Sequence, residues 1–284
     1  MLRAISTVSV KSIAFGLLLP LTSALIAQAG IYSGPSETAH PIDPAIPAAS
    51  PIFKVWANNI DASRTQFAPR GSTTISNTGV NSLGDLDATE IANNVQPGYL
   101  TVTFPKTIRN GTGPDFAVFE NGFAFGTPNG LFAEFAYVEV STDGTNFARF
   151  PSIFTNTAPV TGSGAFAGFD VSNVYNLAGK HASGFGTPFN LDDLSTDPLV
   201  VGSLVDLNHI QFVKLVDIPG NGAFKDSQNN PILDNWLTTG SGGFDFRLPV
   251  GQGIGAINVV PEPTAFMLLS LGTLLLMRLR RLVK

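Results

Sequence analysis

Between residues 52 and 258 no segment keeps apolar side chains at helical spacing for the length of a helix. The chain there is a series of short apolar runs separated by Gly, Asn, Asp and Pro. Such runs bury a face only by pairing sideways, so the pattern predicts an all-β domain. The clearest strands are expected at 99–104, 115–120, 134–141, 147–150 and 210–218. Leu100, Val102 and Phe104 alternate with threonines, the period of a half-buried strand. The run from Ile210 to Ile218 has apolar residues in both phases, which predicts a central strand. Asp143-Gly144, between Tyr137-Val138-Glu139-Val140 and Phe147, predicts a hairpin with a two-residue turn. Many short strands with turns between them predict a β-sandwich of jelly-roll type.

The two ends read differently. Residues 1–29 carry Arg3 and Lys11, an apolar stretch from Ile13 to Leu21, and the small-x-small sequence Ala27-Gln28-Ala29. That order is a secretory signal peptide, with Ala27 and Ala29 marking the cleavage site for signal peptidase. Residues 30–51, with Pro35, Pro41, Pro44, Pro47 and Pro51, read as an extended lead-in to a domain at 52–258. A tail follows at 259–284. Pro261-Glu262-Pro263 precedes an apolar helix expected at 264–277, then a basic cluster of Arg278, Arg280, Arg281 and Lys284 at 278–284. The 14 residues of that helix would reach ~21 Å, against a hydrocarbon core of ~30 Å. The span is marginal, and the basic cluster favours the cytoplasmic side. Residues 30–260 are thereby expected across the membrane. Pro261, Glu262 and Pro263, the short apolar helix and the terminal arginines resemble the PEP-CTERM sorting signal of bacterial cell-surface proteins. That resemblance implies recognition and processing by an exosortase, transient anchoring in the inner membrane, and delivery to the cell surface or extracellular matrix.

Composition limits the chemistry. The chain has no cysteine, which excludes disulfides, thiol catalysis and cysteine-ligated zinc. Without the two ends, 10 basic residues face 20 acidic ones, a net charge of −10. So acidic a domain repels nucleic acid and is compatible with cations or neutral glycans.

A second resemblance covers most of residues 40–258. Asp115-Phe-Ala-Val-Phe-Glu-Asn-Gly122, the stretch from Ala136 to Pro151, Asn176-Leu-Ala-Gly-Lys180, the stretch from Gly186 to Asp193, and Ser241-Gly-Gly-Phe-Asp245 occur in this order. Together they resemble a family of bacterial cell-surface proteins of uncharacterised function that often carry PEP-CTERM tails. The Tyr-Val-Glu-Val-Ser-x-Asp-Gly phrase is also similar to discoidin-like and carbohydrate-binding jelly rolls.

Few residues suggest chemistry directly. Asp192, Asp193 and Asp197 sit in one loop-like stretch, and Asp226 and Asp234 in another. Both offer the oxygens of a structural calcium site, although neither fits an EF-hand. Tyr137 and Glu139, two apart, are expected on one strand face, where with Trp236 they could contact a sugar. Glu120 and Glu139 are the carboxylates a glycoside hydrolase would use, while Asn121-Gly122 after Glu120 predicts a turn in which that carboxylate caps backbone N–H groups. His40, His181 and His209 lack metal-ligand spacing, and no Gly-x-Ser-x-Gly elbow is present. The expectation is therefore a non-enzymatic module with no required cofactor. It would bind glycan or associate with exopolysaccharide, with a carbohydrate-active hydrolase as the alternative and an inert envelope component as a third reading.

Overall fold

The computed structural model describes residues 30–261. Signal residues Ala27 and Ala29, motif residues Glu262 and Pro263, the helix at 264–277 and the basic cluster lie outside that range. Among the described residues no helix is long and apolar enough to cross a membrane. The fold is all-β: several antiparallel sheets, with α-helix, among the described residues, confined to Ala88–Ala92 and Pro198–Val201.

Each of the two larger sheets has five strands, and eight of these ten strands form their body. In chain order they are β1 (Val55–Trp56), β2 (Tyr99–Ile108), β3 (Phe116–Phe119), β4 (Ala136–Ser141), β5 (Ala148–Arg149), β6 (Phe185–Phe189), β7 (Ile210–Asp217) and β8 (Ile254–Ala256). One sheet has the order β1-β8-β3-β6, the other β2-β7-β4-β5. Short strands extend each edge, Ile46–Pro47 beside β6 and Asn59–Ile60 beside β2.

Strand β7 is central, as its two apolar phases predict. Val213 lies opposite Val102 and Val140, and Leu215 opposite Leu100 and Val138. These side chains enter one core together with Phe116 and Val118 of β3, Phe189 of β6 and Ile254 of β8. Both sheets thus feed the same interior. Phe116 stacks on Phe189 at 5.3 Å and meets Phe150 edge-on at 5.8 Å. The opposite phase of β3, Ala117 and Phe119, packs with Ile46, Phe53 and Trp56 in a second cluster.

Two local expectations are corrected. The lead-in at 30–51 is not a free extended segment. Ser33, Asp43, Ala45 and Ile46 are buried, and Ile46 pairs with Gly186. A fully buried Lys180 forms an ion pair with Asp43 and donates to the Val174 carbonyl at 2.8 Å, which ties the segment down. The hairpin between β4 and β5 forms, yet its connection runs from residue 142 to 147 rather than through two residues. Only Gly144 takes positive φ, at 73°. Asp143 instead accepts from the backbone N–H groups of Thr145 (2.8 Å) and Asn146 (2.9 Å), closing a longer Asx-type turn.

Candidate functional site

At one end of the core the apolar rows finish in acids. Phe116 and Val118 are followed in phase by Glu120. Glu134 precedes Ala136, Val138 and Val140 in phase. Leu215 is followed by Asp217, which lies opposite Ala136, and Leu83 by Asp85. All four acids are buried, as are Asp234 and Asp245 close by. Burial, reinforced by Asp245, pushes Glu120 up to about 8. Burial and then the carboxylates of Glu120, Asp245, Asp234 and Asp217 push Glu134 up to about 11. Burial raises Asp85 to about 6 against the hydrogen bonds of Thr238, and carries Asp217 and Asp234 well above the ordinary carboxylate range. Sequence reasoning singled out Glu120 and Asp234 separately and missed Asp85, Asp217 and Asp245. An acid standing in phase with the buried residues of a strand was the available signal.

Beside this end opens a cleft of about 340 Å³. Glu120, Asn121, Asp245, Arg247 and Gln252 supply its polar lining and Phe119 an aromatic wall. Asn121 Nδ2 donates to Asp245 Oδ2 at 3.0 Å. The Glu120 carboxylate accepts from the Gly122 backbone N–H at 2.5 Å, the turn-capping role its Asn-Gly sequel predicts. The cleft therefore offers an amide, a carboxylate and a guanidinium within one lining, groups that hydrogen-bond hydroxyls.

Two residues beyond Asn121 a small four-stranded sheet begins, built from Phe123–Ala124, Gly130–Phe132, Thr161–Ser163 and Phe166–Asp170. Its face carries four phenylalanines. Phe123 and Phe132 stack at 4.8 Å with planes 8° apart, and Phe166 leans on Phe132 at 5.3 Å and on Phe125 at 4.9 Å. Phe123 and Phe166 remain 45% and 56% exposed. Phe123 follows the cleft residue Asn121 by two positions, at most ~7 Å of extended chain.

Tyr137 and Glu139 do share a face, on the outside of the β2-β7-β4-β5 sheet. Both are buried and engaged. Glu139 accepts from Arg149 (2.6 and 2.8 Å) and Lys214 (2.5 Å), while Arg149 covers the Tyr137 ring at 4.3 Å and the Tyr137 hydroxyl donates to the Lys225 carbonyl at 2.6 Å. Glu139 is thus an anchor of a charge ladder on this face, whereas Glu120 borders the cleft beside β3. Trp236, expected to be exposed, is half-buried, and its indole N–H donates to the Leu86 carbonyl at 2.8 Å.

The acidic loop residues each hold local structure. Asp192 accepts from Asn110 (2.6 Å), Asp193 from Tyr175 (2.9 Å) and Asn176 (2.8 Å), and Asp197 caps the Pro198–Val201 helix through the Leu199 N–H (2.8 Å). Asp226 accepts from the N–H groups of Phe154, Gln228 and Asn230, at 2.7–2.9 Å, and Asp234 from that of Phe135 at 3.0 Å. Among the described residues no group of three or more histidine, aspartate or glutamate side chains is arranged to hold a metal ion.

No protein-family model matches the chain, and comparison with curated proteins finds no similar sequence.

Proposed function

We propose that this is an exported bacterial protein of the cell surface or extracellular matrix, sorted by an exosortase, whose jelly-roll domain binds glycan of an exopolysaccharide layer. The observation that carries the binding part is the exposed phenylalanine platform, which begins two residues along the chain from a polar cleft. Ring faces stack on the apolar C–H faces of sugars, and the neighbouring amide, carboxylate and guanidinium groups bond the hydroxyls. Strand orders β1-β8-β3-β6 and β2-β7-β4-β5 support the jelly-roll reading, since two interleaved Greek keys produce that sequence of neighbours.

The sorting part rests on the sequence of the two ends: charge, apolar stretch and Ala27-Gln28-Ala29 in order at 1–29, and Pro261-Glu262-Pro263, apolar run and basic cluster in order at 259–284. A glycan array probed with the purified protein tests the binding. Retention on neutral polysaccharides is expected. Absence of binding to any glycan, with self-association instead, would assign the platform to contact between copies.

A hydrolase reading draws on Glu120 and Asp245 lining one cleft, Glu120 with a raised pKa. Release of reducing ends from a polysaccharide panel would favour it over simple binding.

A further inference from the structure

Opposite the buried acids, the other end of the core is where the chain departs for its tail. The connections at 109–115, 142–147 and 190–209 all lie at that end, because β2, β4 and β6 finish there and β3, β5 and β7 start there. Ile108, the last residue of β2, lies opposite both Ile210 and Val259. Val260 then donates to the Thr107 carbonyl at 2.9 Å. Ile210 and Asp217 stand at the two ends of β7, seven steps or ~23 Å apart, so the length of a strand separates this end from the acids.

The 190–209 connection carries two apolar side chains into water. Leu191, Leu194, Val205 and Leu207 enter the main core, and Leu199 and Val200 pack against it. Between them Val201 is 71% and Leu204 52% exposed. The turn that presents them is firmly built. Asp197 caps its short helix, Gly202 donates to the Pro198 carbonyl at 2.9 Å, and Leu204 and Val205 donate to the Leu199 carbonyl at 2.8 and 3.1 Å. Ser203, between the two apolar residues, takes positive φ at 59°, uncommon for a residue with a Cβ. A hollow of about 430 Å³ flanks the turn, with Asn110, Val200, Ser203 and Val205 in its lining.

The position of the turn points to what covers it. Asn110 donates its N–H to the Leu207 carbonyl at 2.8 Å, and its neighbour Arg109 to that of Asn258 at 3.1 Å. Consecutive residues of one loop thus hold the turn and the departing chain. Leu204 lies three residues from Leu207, and the apolar run at 264–277 starts six residues after Asn258, at most ~11 and ~22 Å of extended chain. A surface that receives the run is therefore within reach of the turn. Asp192 and Asp206, both exposed in the same connection, disfavour an anionic surface and leave a zwitterionic one.

We propose that Val201 and Leu204 dock on a zwitterionic lipid surface while the 264–277 run is in the bilayer. This end of the domain then rests on the membrane, and the cleft and phenylalanine platform at the acid end face outward. The inference rests on the sorting reading, which supplies the membrane. Two side chains offer less apolar surface than one myristoyl chain, itself only a marginal anchor, so removal of the tail frees the domain.

The test uses the full chain reconstituted with phosphatidylcholine vesicles. Because the chain has no cysteine, Ser203→Cys and, at the opposite end, exposed Thr127→Cys each accept a single nitroxide label. Collision with oxygen and with an aqueous nickel chelate reports depth. The label at 203 is expected ~5–10 Å into the boundary of headgroups and acyl chains, and the label at 127 in water. Adding Val201→Asp and Leu204→Asp should return the 203 label to water while the chain still floats with the vesicles. Phosphatidylglycerol in the vesicles should make the 203 label shallower at low salt. Flotation with the 203 label in water, or a 203 label that keeps its depth in the double aspartate variant, overturns the docking alone. Failure of the full chain to float overturns the docking together with the sorting reading. Shielding of the 203 label before vesicles are added would assign the turn to a second copy or to the chain's own apolar run, and also overturns lipid docking.

Discussion

Lys180 shows how a single buried charge can organise a segment. Its ammonium has no solvent contact and rests on Asp43, the Val174 carbonyl and, at 5.6 Å, the Tyr32 ring. Lys180→Met removes the cation and strands a buried carboxylate, so a loss of about 3–5 kcal/mol is expected in urea unfolding. Adding Asp43→Leu should recover most of it, because the uncompensated charge, rather than the missing attraction, dominates the loss. Asp143 illustrates the opposite case at the surface. The N–H groups of Asn146 and Thr145 hold its carboxyl well below its ordinary 3.8. A depressed folded-state value means its contribution is complete above 3.8 and fades as pH falls toward the folded value. Asp143→Asn should therefore lower stability at neutral pH, with the gap to the unsubstituted protein closing as acid unfolding curves are taken down toward ~pH 2.

At the scale of elements, strands with clean alternation were legible and strands without it were not. Strands β2, β3, β4, β5 and β7 all fall where apolar residues alternate or cluster between turn residues. Strand β6 reads Phe-Gly-Thr-Pro-Phe and β8 reads Ile-Gly-Ala, and neither looks like a strand by composition. Both form because β3 stands between them and supplies partners: Val118 lies opposite Thr187 on one side and Ile254 on the other. Tertiary pairing overrides local propensity there. The small phenylalanine-bearing sheet is similarly hidden, since its rings come from three separate strands and the loop at Phe125. If that sheet is the glycan platform, Phe123→Ser with Phe166→Ser should abolish retention on affinity gels containing polysaccharide. Stability should change by about 1 kcal/mol or less, because both rings are about half exposed.

For the whole molecule, the described domain lies between the two segments that resemble export and sorting signals. Intact mass of the protein recovered from its own cells, fraction by fraction, checks the sorting proposal. Loss of residues 1–29 and of the chain beyond the Pro261-Glu262-Pro263 motif is expected in the surface or medium fraction. An intact C-terminus in the inner membrane would instead describe an ordinary single-span anchor. The sequence by itself determined the all-β class, the acidic, cysteine-free character of the domain and the layout of its ends. Those properties follow from local periodicity, counting and order along the chain. Only the tertiary structure decided that the proline-rich segment joins the sheet, that Glu139 is locked between two cations, and that Asp85, Asp217 and Glu134 meet at one end of the core. The reason is physical: a carboxylate's role depends on which neighbours it loses water to. For residues more than a hundred positions apart, that is set by strand order and register.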